Sequence, residues 1–158
     1  MKILTAAQMG DVDRLTTEEC GLPSATLMEN AGFQLYLALE AEFDNLLEQK
    51  IAIICGKGNN GGDGMVLARQ LAQRGMAPDL LLLARADDIS GDAGTNLQVL
   101  LKSGVPVFQI DSEAAWEEVA PQLDLYDILV DGILGTGITK PLKGFYARVV
   151  EDINESDA

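Results

Sequence analysis

The chain has 158 residues, 47% of them apolar, enough for one compact domain and too few for two. Its 25 acidic residues against 11 basic ones leave a formal charge of −14, which repels phosphodiester backbones and argues against nucleic acid as a partner. The absence of histidine removes serine-type triads, most zinc sites and the usual neutral-pH proton carrier, so any chemistry would rest on carboxylates, lysines, backbone dipoles or a hard cation.

No apolar run approaches the roughly 20 residues needed to cross a bilayer, and the first segment turns polar too soon for a signal peptide, so a cytoplasmic protein without a membrane partner is expected. Thr5 and Gln8 stand in capping-box spacing ahead of Met9, Val12 and Leu15, which predicts an amphipathic helix stopped by Gly21 and Pro23. Ser24 is placed to cap a second helix whose Leu27, Met28, Ala31, Leu35 and Leu39 form one face. Cys20 and Cys55 sit in apolar surroundings without metal-ligand spacing and read as buried thiols.

From Ile51 the texture becomes short continuous apolar runs, at 51–55, 80–84, 105–110 and 127–134, as expected of strands buried on both faces. Between them run helical patterns from Met65 to Arg74, Ala93 to Lys102 and Ser112 to about Leu123; Gly75 and Gly104 close the first two. This alternation predicts an α/β domain, a Rossmann-like three-layer αβα arrangement with a mostly parallel sheet behind two N-terminal helices. The chain stops after one more helical pattern, YARVVEDINES, and reads as a single domain over 1–158 cut short at its C-terminal end.

Three segments could carry chemistry. CGKGNNGGDG, 55–64, lies directly after the first strand, where open α/β sheets bind ligands. Gly56, Gly58, Gly61, Gly62 and Gly64 would let backbone N–H groups approach a diphosphate, while Asn59, Asn60 and Asp63 offer oxygens to a ribose or a hard cation. The plainer reading is a tight turn whose Gly and Asn serve positive φ. The pattern matches neither the dinucleotide fingerprint nor a Walker loop. In VDGILGTGITKPLKG, 130–144, Asp131 ends a strand facing the same crevice and could bind a cation or a sugar, and Lys140 and Lys143 could meet phosphate; otherwise this is a solvated loop. In LMENAG, 27–32, Asn30 could turn toward the crevice, although helix packing with a solvated Glu29 is the commoner use. Asp87, Asp88 and Asp92 read as a solvated loop, Glu113, Glu117 and Glu118 as a wet helix face, and Trp116 as packing.

LMENAG, GKGNNGGDG and VDGILGTG, in that order and separation, resemble the N-terminal domain of the YjeF family, the NAD(P)H-hydrate epimerases, over nearly the whole chain; SGDAGTNLQVLLKSG is also similar to a family helix. The resemblance implies epimerisation of the R and S forms of hydrated NADH and NADPH (NADHX and NADPHX). It implies substrate binding by Asn59, Asn60, Gly61, Gly62 and Asp63 and by Gly135, Thr136, Gly137, Ile138, Thr139, Lys140 and Pro141, with Asn60 and Asp131 as ligands of a potassium ion. No residue is assigned as catalytic. It further implies a homodimer formed through the first helices and partnership with an ADP- or ATP-dependent dehydratase, in some members fused. The family's following D-x-P-S-G type segment is not in this sequence. A non-catalytic nucleotide binder or a protein-interaction scaffold of the same fold stands as the alternative.

Overall fold

The computed structural model describes residues 3–158. Two helices come first, α1 (Ala6–Glu18) and α2 (Ser24–Glu42), followed by β1 (Ile51–Cys55), α3 (Asn59–Ala72), β2 (Asp79–Leu82), α4 (Gly91–Ser103), β3 (Val107–Gln109), α5 (Glu113–Val119), β4 (Ile128–Gly132) and α6 (Phe145–Glu155). Short 3₁₀ turns at 46–48, 86–88 and 120–125 join them and were not foreseen from periodicity. No helix among the described residues is long and apolar enough to cross a membrane.

The four strands are parallel in the order β3-β2-β1-β4. From β1 the chain steps one way to β2 and β3, then returns past β1 to β4. With right-handed crossovers that reversal puts the connecting helices on opposite faces. Side chains divide accordingly: Ile51, Ile53, Leu80 and Leu82 pack with α3 and α4 on one face, and Ala52, Ile54 and Leu81 with Trp116 and Val149 on the other. The point where the order reverses lies between β1 and β4, and ligand crevices form there in open α/β sheets.

Several local expectations need correction. Thr5 and Gln8 do form a capping box, with the Gln8 N–H donating to Thr5 Oγ1 at 3.3 Å and the Thr5 N–H to Gln8 Oε1 at 2.9 Å. Yet α1 buries nothing: Met9 and Val12 keep 46% and 44% of their surface exposed, so this apolar face has no counterpart among the described residues. Pro23, not Ser24, holds the N-cap of α2, whose fixed φ and missing N–H suit a helix entrance. The buried stripe of α2 is Met28, Gly32 and Tyr36, rotated from the predicted face, and Leu35 lies outside. Cys20 is exposed just beyond α1, whereas Cys55 is buried as expected. Trp116 packs as anticipated and donates its indole N–H to Asp152 Oδ2 at 2.7 Å.

Candidate active site at the sheet reversal

The helix after β1 begins six residues earlier than periodicity predicts, at Asn59, because Gly61, Gly62 and Gly64 belong to its first turns and leave no apolar signal there. None of the glycines from 56 to 64 has positive φ, which removes the plain-turn explanation. A Cβ on Gly56 would lie 2.0 Å from the Ile133 carbonyl oxygen, and one on Gly61 would lie 2.0 Å from that of Gly56. On Gly62 it would strike Met28 Sδ at 2.6 Å, and on Gly64 Cys55 Sγ at 2.7 Å. These four glycines therefore seat the end of α3 tightly against β1, β4 and α2. Of the five, Gly58 alone borders open space, with nothing within 4 Å of a built Cβ.

That seating aims the helix end at the reversal. The first turn closes with the Gly62 N–H donating to the Gly58 carbonyl at 3.1 Å, so the amides of Asn59, Asn60 and Gly61 precede any intrahelical bond. Unpaired N–H groups and the positive end of the helix dipole favour an anionic group there.

Two sets of side chains flank this end. On the β4 side, Asn60 donates from Nδ2 to the Leu134 carbonyl at 3.3 Å, and Gly132 and Gly135 border Asn60. Asp131, paired in register with Ile54, accepts the Ile133 N–H on Oδ1 at 2.8 Å. The Asn60 nitrogen is thus engaged and its Oδ1 is left, together with Asp131 Oδ2. Among the described residues no group of three His, Cys, Asp or Glu could hold a metal ion. A donor set of amide and carboxylate oxygens fits a hard cation that also accepts backbone carbonyls, as potassium does. Residues 134–141 form an exposed loop; apart from the Leu134 carbonyl, no hydrogen bond joins it to the glycine segment among the described residues.

On the other side lies a cleft of about 420 Å³ between α1, α2 and the start of α3. Asn59 and Asp63 form one wall, Leu27, Met28 and Ala31 of α2 another, and Asp13 of α1 and Asp92 of α4 close it. Burial pushes the Asp63 carboxyl up to about 6, and the Asp13 carboxylate adds to the effect. Burial likewise pushes the Cys55 thiol up, assisted by Asp131 and Asp63, so this sulfur is a neutral packing atom.

Asp92 is therefore a wall of the cleft rather than part of a solvated loop, although Asp87 and Asp88 are exposed as expected. Asp13 was not foreseen, since on an exposed helix nothing in its local pattern marks it. In LMENAG, Glu29 is partly exposed as expected but also engaged: it pairs with Arg69 and accepts from Gln70 Nε2 at 2.6 Å, tying α2 to α3. Asn30 is exposed and does not line the cleft, while Gly32 allows α2 to approach Val66.

Comparison with known proteins gives concordant results. A family model described as YjeF-related protein N-terminus matches residues 24–158. The chain is 42% identical over 157 residues to a bifunctional NAD(P)H-hydrate repair enzyme Nnr of Moorella thermoacetica, covering 99% of this chain and 30% of that one. It is 39% identical over 155 residues to an NAD(P)H-hydrate epimerase of Rhodopirellula baltica, covering 98% of this chain and 61% of the relative. The crystal structure of yeast YNL200c superimposes with a TM-score of 0.79 at 26% identity, over 97% of this chain and 65% of that one. The chain thus spans less than two thirds of the length of each of these relatives.

Proposed function

The chain belongs to the family of YjeF-related protein N-termini, and from this we propose that it binds NADHX and NADPHX and interconverts their R and S epimers. The observation that carries the reading is the end of α3, held by Gly56 and Gly61 at the sheet reversal with free amides pointing out and a ring-sized cleft beside it. A dinucleotide has a diphosphate for the amides and a flat ring for the cleft. The names of the relatives, repair enzyme and epimerase, support the same substrate class.

In this reading Asn59 to Asp63 hold the dinucleotide, and Gly135 to Pro141 fold over it from the β4 side. Asn60 and Asp131 hold potassium, which when bound supplies positive charge next to the anionic part of the substrate. The exposed apolar face of α1 supports a homodimer, and the relatives named bifunctional support work alongside a second repair activity, a dehydratase in this reading. The reading includes a cytoplasmic location.

The test is conversion of a single purified NADHX epimer in the presence of potassium, followed by chromatography against a protein-free control that measures spontaneous exchange. Conversion above that control, lost in Asp131→Ala, is the expected result. Cofactor binding without exchange would instead identify a non-catalytic nucleotide binder.

A further inference from the structure

Binding alone does not account for Asp63. It is the fifth residue of α3, beyond the free amides of the first turn, and its carboxyl is half-buried in the cleft with no hydrogen-bond donor or paired cation among the described residues to stabilise its charge. The charged groups around it come from each neighbouring element: Asp13, Arg14 and Glu18 from α1 and Asp92 from α4, while α2 lines the cleft with Ser24 and apolar side chains. Arg14 is occupied by Glu18 and Asp11. The sheet contributes the neutral Cys55 thiol, which feels Asp63 and Asp131 alike.

An acid in such surroundings keeps its proton unusually long, and a second carboxylate, Asp13, lines the same cleft from the opposing helix. One ring-sized space thus has, on one wall, a carboxyl that gives up its proton only near pH 6 and, on another, the Asp13 carboxylate. Resting on the epimerase reading, we propose that Asp63 and Asp13 are its proton-transfer pair, one for each face of the hydrated nicotinamide ring.

The steps balance without any further reactant. Asp63 protonates the hydroxyl on the hydrated carbon; the C–O bond breaks, water leaves, and the adjacent ring-nitrogen lone pair forms a C=N bond. Water then adds to that carbon from the other face. A new C–O bond forms, the electron pair returns to nitrogen, and Asp13 takes the released proton. Nothing is oxidised or reduced, and with the two protonation states exchanged the pair is set for the reverse conversion.

Steady-state epimerisation of NADHX by the wild type, Asp63→Asn and Asp13→Asn from pH 5 to 8, with spontaneous exchange subtracted, tests the pair. Expected is a kcat loss on the order of 100-fold or more in each variant, larger than any accompanying change in KM. The wild-type rate should fall as pH rises through about 6, and Asp63→Asn should lack that limb. Asp13 is exposed, so its variant tests the proposal even if the Asp63 variant folds poorly. Wild-type kcat in either variant, or a rise in KM alone, would overturn the pair and leave the epimerase standing. A wild type no faster than the protein-free control would overturn both.

Discussion

The side-chain amide of Asn60 donates to the carbonyl of Leu134 at 3.3 Å, so the first turn of α3 is the anchor of the loop that follows β4. The two residues are 74 positions apart and meet because β1 and β4 pair along their whole length, ending with Cys55 beside Gly132. Asn60→Ala should release that loop. Losing one hydrogen bond of about 1 kcal/mol loosens the loop and predicts faster tryptic cleavage after Lys143 in the absence of substrate and potassium.

Gly56→Ala and Gly61→Ala should each destabilise the fold by about 3 kcal/mol or more, since their Cβ atoms would meet backbone carbonyls that cannot swing aside. Gly58→Ala, which borders open space at the N-cap, should cost about 1 kcal/mol or less. Urea midpoints of the three variants give the comparison. Equal loss at all three positions would contradict the packing role.

Asp63 should make stability depend on pH with a definite sign. Its folded-state carboxyl titrates at about 6, above the ordinary 3.8, so the folded chain holds a proton that the unfolded chain has released between those values. Stability contributed by this group therefore falls as pH rises from 3.8 to 6 and stays reduced above that. Asp63→Asn should accordingly be more stable than wild type at pH 7.5, with the gap closing toward pH 4. Denaturant titrations at the two pH values read this directly, and a gap that widens on acidification would refute the burial of Asp63.

Asp152 accepts from the buried Trp116 indole and from Arg148, whose Nε lies 2.8 Å from Oδ1. Asp152→Ala would strand the indole N–H inside the core and should cost about 1–3 kcal/mol. Arg148→Ala leaves the indole partner in place and should cost under about 1 kcal/mol, as the arginine is half exposed. Thermal unfolding of the two variants separates the contributions.

Much of the fold was legible from local pattern. The run IAIIC coincides with β1 residue for residue, because a strand buried on both faces admits no polar position. Gly104 marks the end of α4 with φ of 84°, a conformation that glycine adopts without a Cβ penalty. The start of α3 was not legible, since Asn59 to Gly64 look like a loop until their close neighbours are known. Glu29 was equally opaque: its partners Arg69 and Gln70 lie about forty residues away and meet it only when α2 packs on α3.

The alternation of apolar runs with helical periods, the position of GKGNNGGDG after a strand and of Asp131 at the end of another are properties of the amino-acid sequence by itself. They follow from short-range rules that link side-chain period to backbone geometry and glycine to close approach. Which groups share a space was decided by the tertiary structure alone. The order β3-β2-β1-β4 places residues 56–64 beside 132–135, and the docking of α1 and α2 brings Asp13 to the cleft of Asp63. Those juxtapositions join residues separated by fifty positions or more, and burial together with a neighbouring charge, neither of which a local pattern contains, raises the Asp63 carboxyl toward neutrality.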